Sequence, residues 1–217
     1  MNEIFSDHRG AYAQYFTEQV VGTEALSLRE YKYIESAIEK RKTEFSTGRF
    51  CAKKALENIG LFEKEILVGT NREPLWPEGI LGSISHCDNF TGAVVGCTDK
   101  IVSIGIDIEN IGGIKSNVWD VIYTTSEQQF LTNTPTNKVD LFSTLIFSFK
   151  ESLYKFQYPI TGIYLDFKDV EITFERSEFS FNIINKSVDV KSLPFNDINT
   201  NWTILNGKVF TCCVLRQ

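Results

Sequence analysis

Two short stretches hold the side chains best suited to chemistry. IGIDIEN (Ile104–Asn110) sets Asp107 and Glu109 one residue apart in an apolar run. A strand alternates its side chains, so the two acids share a face with Ser103 and Gly105. Val102, Ile104, Ile106 and Ile108 take the other face and read as core. Any half-exposed strand shows this alternation, so a solvated face accounts for it. A metal site accounts for it too: like charges on one face repel unless a cation lies between them, and carboxylate oxygens suit Mg²⁺. FSFKESLYK (Phe147–Lys155) places Glu151 and Lys155 one helical turn apart. Alone they would make a surface salt bridge of about 0.2–0.5 kcal/mol. Beside Asp107 and Glu109, Glu151 is the third carboxylate that a Mg²⁺ site wants.

Two further stretches bear on phosphate. KRKTEFSTGRFCAKK, Lys40 to Lys54, holds six basic residues and one acid. It is either a solvated helix face or a polyanion site. GSISHC contains His86, one of two histidines, next to Ser85. Adjacency does not make a nucleophile–base pair, and a lone histidine at a strand end serves structure as readily as function. No GxxxxGK[ST] or GxGxxG loop occurs, so side chains and metal would have to hold any phosphate.

These groups need elements to carry them. A helix is predicted from Tyr33 to Ile59, with Arg41, Phe45, Arg49 and Lys53 forming a drifting stripe and Gly48 allowing close backbone approach. Short strands follow at Glu65–Val68, Gly82–Ser85, Thr91–Gly96 and Ile101–Glu109. Thr124 and Glu127 have capping-box spacing at the start of a short helix. A second long helix runs from Val139 to Gln157, stopped by Tyr158-Pro159. The remainder is β, closing on a hairpin with the type I′ signal Asn206-Gly207. Helix plus antiparallel strands thus occurs twice. The fold class expected is α+β, a pseudodimer of two similar lobes (1–103 and 104–217), each a long helix on a small antiparallel sheet, although no residue-level repeat is evident.

Composition sets the bounds. The chain has 217 residues, 42% hydrophobic and 23% charged, with a net charge of −6 that argues against general nucleic-acid binding. Five cysteines without C-x-x-C spacing signal neither a disulfide framework nor zinc, and a reducing cytoplasm is the simplest setting. No membrane span or signal peptide is expected.

Four segments in order, RKTEFSTGRFCAKKAL, PLWPEGILGSISHC, IGIDIE and FSFKESLYK, resemble the 4′-phosphopantetheinyl transferases of the Sfp type, in the branch that includes enterobactin synthase component D. The resemblance implies that Asp107, Glu109 and Glu151 hold Mg²⁺ (or Mn²⁺), which grips the pyrophosphate of coenzyme A, the substrate. It implies that Asp107 and Lys155 meet the same phosphates. Arg41, Arg49, Ser85 and His86 would line the nucleotide end, with Arg72 a weaker member of that set. A serine of an apo peptidyl, aryl or acyl carrier protein would attack the β-phosphorus, breaking the pyrophosphate and releasing adenosine 3′,5′-bisphosphate, with Glu151 and Lys155 catalytic. A monomer is expected. The rivals are a metal-dependent phosphodiesterase using the same acids and a non-catalytic carrier-binding protein.

Overall fold

The computed structural model describes residues 4–5, 10–88, 90–175, 178–185 and 197–217. In the first lobe β1 (Tyr12–Thr17) leads through the short α1 (Leu28–Lys32) to α2 (Glu39–Glu57). The hairpin β2 (Ile80–Cys87) and β3 (Phe90–Cys97) follows, and the antiparallel sheet has the order β1-β3-β2. The second lobe opens with β4 (Ile101–Asn110), then α3 (Trp119–Ile122), α4 (Thr125–Asn133) and α5 (Thr136–Thr161). A hairpin of β5 (Val170–Glu175) and β6 (Glu178–Ile183) precedes the closing hairpin, β7 (Asn199–Leu205) and β8 (Lys208–Arg216). The second sheet has the order β4-β8-β7. Asn206 and Gly207, both at positive φ, make the turn that their pairing predicts.

The repeat hidden in the sequence is plain in three dimensions. In each lobe a capping box starts a short helix, Ser27 with Glu30 and Thr124 with Glu127. Each capping glutamate is buried and paired with a lysine of the long helix, Glu30–Lys53 at 2.8 Å and Glu127–Lys150 at 2.7 Å. Its other oxygen accepts a backbone N–H, from Ile66 at 2.8 Å and from Ile172 at 2.7 Å. The same spacing along the chain separates Ser27 from Thr124, Glu30 from Glu127 and Lys53 from Lys150. The strands echo this, Phe90-Thr91 on β3 matching Phe210-Thr211 on β8.

α2 packs on the first sheet through Cys51, Ala52, Ala55 and Leu56, and α5 covers the second through Leu145, Phe149, Leu153 and Phe156. A third apolar cluster joins the lobes, with Phe16 and Phe90 of the first sheet against Ile104, Ile106, Ile108 and Phe210 of the second. Phe90 and Phe210, the matched pair, meet edge to face at 5.1 Å.

Several expectations need correction. The face carrying Asp107 is not solvated: α5 lies on it, burying Ser103 and Asp107, each 3% exposed. Gly105 makes that packing possible, since a Cβ there would stand 2.0 Å from the Ser152 carbonyl oxygen. Val102 is 36% exposed and not core, because a bulge between Ile101 and Ser103 turns Ile101 inward in its place. The first long helix begins at Glu39; Tyr33 instead caps α1. Glu65–Val68 forms no strand, only a bridge from Val68 to Pro74. α5 runs past Pro159, which sits in its last turn, and ends at Gly162 in the left-handed conformation. Gly48 does allow close approach, an added Cβ lying 3.1 Å from Ile84.

Both glutamate–lysine pairs are buried, and removing one partner leaves a stranded charge. Glu30→Ala and Glu127→Ala should each lower unfolding free energy by about 3–5 kcal/mol in urea titrations. Breaking the helix-surface pair Lys42–Glu39 should cost far less.

Candidate active site

The two sheets meet edge to edge along β2 and β4, and the expected chemical groups lie on that seam. The Ile106 N–H donates to Ser83 Oγ at 3.1 Å, stitching the strands by side chain rather than ladder. Next along, Ser85 Oγ donates to Asp107 Oδ1 at 2.9 Å. From α5, Lys155 Nζ donates to Asp107 Oδ1 at 2.6 Å, to Ser85 Oγ at 3.0 Å and to the Ile106 carbonyl at 3.2 Å. The ion pair that Lys155 makes is therefore with Asp107 across the structure, not with Glu151 along the helix.

Asp107 Oδ2 is buried and has no hydrogen-bond partner. An unsatisfied carboxylate oxygen away from water is costly, and a cation is the partner that would satisfy it. Glu109, next on the same strand face, has its carboxyl pushed up to about 8, by burial first and then by Asp107, with Lys155 opposing and Glu151 and Asp88 adding. The Glu151 carboxyl is also raised by burial, Lys155 opposing and Asp107 adding. The three acids thus feel one another's charge. Among the described residues no three His, Cys, Asp or Glu side chains close into a full metal cage. Mg²⁺ seldom asks for one, taking one or two carboxylates and completing its shell with phosphate and water. The donor set fits such an ion.

The cations expected at the nucleotide end do not gather at one point. Arg41 and His86 both face Glu44, at 3.7 and 3.8 Å. Burial lowers the His86 pKa, Glu44 working against it. Arg49 is 5% exposed, with its guanidinium 4.4 Å over the Phe45 ring and Nε donating to the Ile66 carbonyl at 2.7 Å. Burial pulls its pKa down to about 10. Arg72, at φ 67°, lines a cavity of about 620 Å³ with Trp76, Ile84, Tyr158 and Lys155. A smaller cleft of about 160 Å³ is lined by Glu151, Leu153, Tyr164 and Phe167. Tyr154 lines both. Sequence reasoning passed over Glu44 and Lys150. Glu44 was the single acid of a basic run, and Lys150 sits beside Glu151 but points into the fold, paired with Glu127.

Buried Asp107 and Lys155 therefore meet where the two lobes join. Comparison with known proteins narrows this. Residues 29–96 match the 4′-phosphopantetheinyl transferase N-terminal domain, and residues 103–206 match the 4′-phosphopantetheinyl transferase superfamily. The chain is 33% identical over 192 residues to the 4′-phosphopantetheinyl transferase PptT of Mycobacterium tuberculosis, covering 86% of this chain and 84% of that protein. It is 30% identical to the transferase Npt of Nocardia iowensis, covering 84% and 86%. It is 34% identical to enterobactin synthase component D of Escherichia coli, covering 70% and 71%. The chain belongs to the two-domain, Sfp-type 4′-phosphopantetheinyl transferases. It is an enzyme that transfers the phosphopantetheinyl group of coenzyme A to carrier proteins, which sets aside the phosphodiesterase and non-catalytic readings.

The raised Glu109 pKa gives a pH signature in chelator-treated protein. The folded carboxyl keeps its proton up to about 8, whereas the unfolded one loses it near 4.5. Between those values the folded state binds more protons, so stability falls as pH rises through the window. Urea unfolding at pH 5, 6.5 and 8 should show that decline, and Glu109→Gln should flatten it.

Proposed function

We propose that Asp107, Glu109 and Glu151 hold Mg²⁺ (Mn²⁺ serving in its place) and that coenzyme A lies across the β2–β4 seam. The observation that carries this is the buried, partnerless Oδ2 of Asp107, beside Lys155, which lines the larger cavity. When bound, the ion supplies charge neutralisation at the pyrophosphate.

Coenzyme A needs room on both sides of its pyrophosphate. The larger cavity, with Trp76 and Arg72 on its walls, suits the nucleotide. The smaller cleft, with Leu153 and Phe167, suits the pantetheine arm. Lys155 lines the larger one, and its ammonium, with Ser85, is placed to donate to phosphate oxygens. Arg41 and His86 serve the nucleotide's own phosphate. His86 shares its strand face with Gly82 and Ile84, which line the larger cavity. Arg49 is the deeper member of this set, buried with no carboxylate in ion-pair range among the described residues. In this division residues 1–103 supply the nucleotide side and 104–217 the acids and Lys155.

Glu151 faces the smaller cleft and takes the proton of the attacking carrier serine. Ser85 and Lys155 hold the leaving phosphate while charge builds on it. The carrier is of the peptidyl, aryl or acyl kind, in siderophore or nonribosomal peptide synthesis. The working form is a cytoplasmic monomer, a setting that suits five free cysteines, four of them buried. No helix among the described residues is long and apolar enough to cross a membrane.

The test is intact mass spectrometry of candidate apo carriers incubated with coenzyme A, with and without Mg²⁺. One phosphopantetheine should be gained only with the metal. Lys155→Ala should lower kcat about 100-fold, as loss of a preorganised donor to developing charge does, with a smaller change in KM. An unchanged kcat would reduce Lys155 to a strut for Asp107. Asp107→Asn should abolish both turnover and the stabilisation that Mg²⁺ gives the free enzyme in thermal melts.

A further inference from the structure

Glu44 puts a negative charge where a phosphate is expected. Its Oε2 lies 3.7 Å from Nη1 of Arg41 on α2 and 3.8 Å from Nε2 of His86 on β2. One carboxylate oxygen therefore faces both cations assigned above to the nucleotide phosphate, from two different elements. The Glu44 side chain is largely buried.

The fold does not ask for a carboxylate there. The spacing that matches Lys53 to Lys150 matches Glu44 to Leu141, which packs against the apolar core of the second lobe. The same spacing sets Arg41 against Lys138 and Arg49 against buried Ile146. Where the lobes agree, as at the two glutamate–lysine pairs, the residues hold structure; around Glu44 they differ. A carboxylate inside an anion site repels the anion unless it does something for the cations. Here it has two things to do. The Arg41 side chain is half exposed, and an anchored partner restrains its rotamers. His86 is drawn toward neutrality by burial, with Arg41 and Lys155 acting the same way. Glu44, helped by Asp107, acts against all three.

We infer that Glu44 is a positioning residue, an internal stand-in for phosphate that keeps Arg41 and His86 aimed at one point and yields that point to the 3′-phosphate of coenzyme A. The inference rests on the assignment of Arg41 and His86 to that phosphate.

The experiment is steady-state kinetics with coenzyme A and with dephospho-coenzyme A, which lacks the 3′-phosphate, at saturating carrier and Mg²⁺. Wild type should prefer coenzyme A. Glu44→Gln should raise the coenzyme A KM about tenfold, the lower end of what losing an orienting partner costs a bound ion. It should leave the KM for dephospho-coenzyme A in place, so the preference collapses while kcat moves far less. Glu44→Asp should restore part of the preference. These conservative variants keep the test usable if Glu44→Ala folds poorly. An unchanged preference in Glu44→Gln, or a lower coenzyme A KM, would overturn the inference, the second by making Glu44 a mere competitor. If Arg41→Ala and His86→Ala both leave the preference intact, the assignment itself fails and takes the inference with it. If those two lose the preference and Glu44→Gln keeps it, only the role of Glu44 fails.

Discussion

A lysine ammonium 2.6 Å from a buried aspartate is the contact on which the cleft depends. It ties α5 to β4, and through Ser85 it reaches β2, so one cluster of hydrogen bonds spans both lobes. A carboxylate as buried as that of Asp107 is tolerable only with a positive partner, and Lys155 supplies it through one oxygen. The other oxygen is left over. In this it differs from Glu30 and Glu127, each of which uses both oxygens.

The two lobes resemble each other but differ at this seam. The lobes share a scaffold: capping box, buried glutamate, lysine on the long helix, and a paired Phe-Thr strand. On this scaffold Thr91 pairs with Thr17 and Thr211 with Asp107, so the first lobe has a threonine where the second has its acid. By the helix spacing, Glu151 and Lys155 correspond to Lys54 and Asn58. One lobe thus carries the acids and the other the arginines and histidine, and the seam between β2 and β4 is where they face each other. By the same matching β4 corresponds to β1 and β2 to β7, so the seam joins unlike strands of the two lobes.

The expected chemistry was legible because it lies in short segments. Asp107 and Glu109 share a strand face by the period of two, and Glu151 and Lys155 share a helix face by the turn of four. Either pattern survives errors of a few residues in element ends. The bulge at Ile101–Ser103 was not legible: it is set by pairing with β8, far along the chain, and it exchanges Val102 for Ile101 in the core. The burial of the Asp107 face was missed for a related reason. Alternation cannot distinguish a solvated face from one covered by a helix, and Gly105, the residue that admits α5, reads in sequence only as a small residue.

By itself the sequence determined most of the element types, Glu65–Val68 excepted, and the four segments that carry the resemblance. All of these are local, resting on periods of two and four or on residue chemistry. Tertiary structure decided the pairings: Lys155 with Asp107 rather than Glu151, Lys150 with Glu127, and Glu44 between Arg41 and His86. Each joins side chains from different elements, except that Glu44 and Arg41 share α2. A charged group takes the partner that best offsets its desolvation, and which partner is near depends on how helices and sheets pack, not on how residues are spaced along the chain.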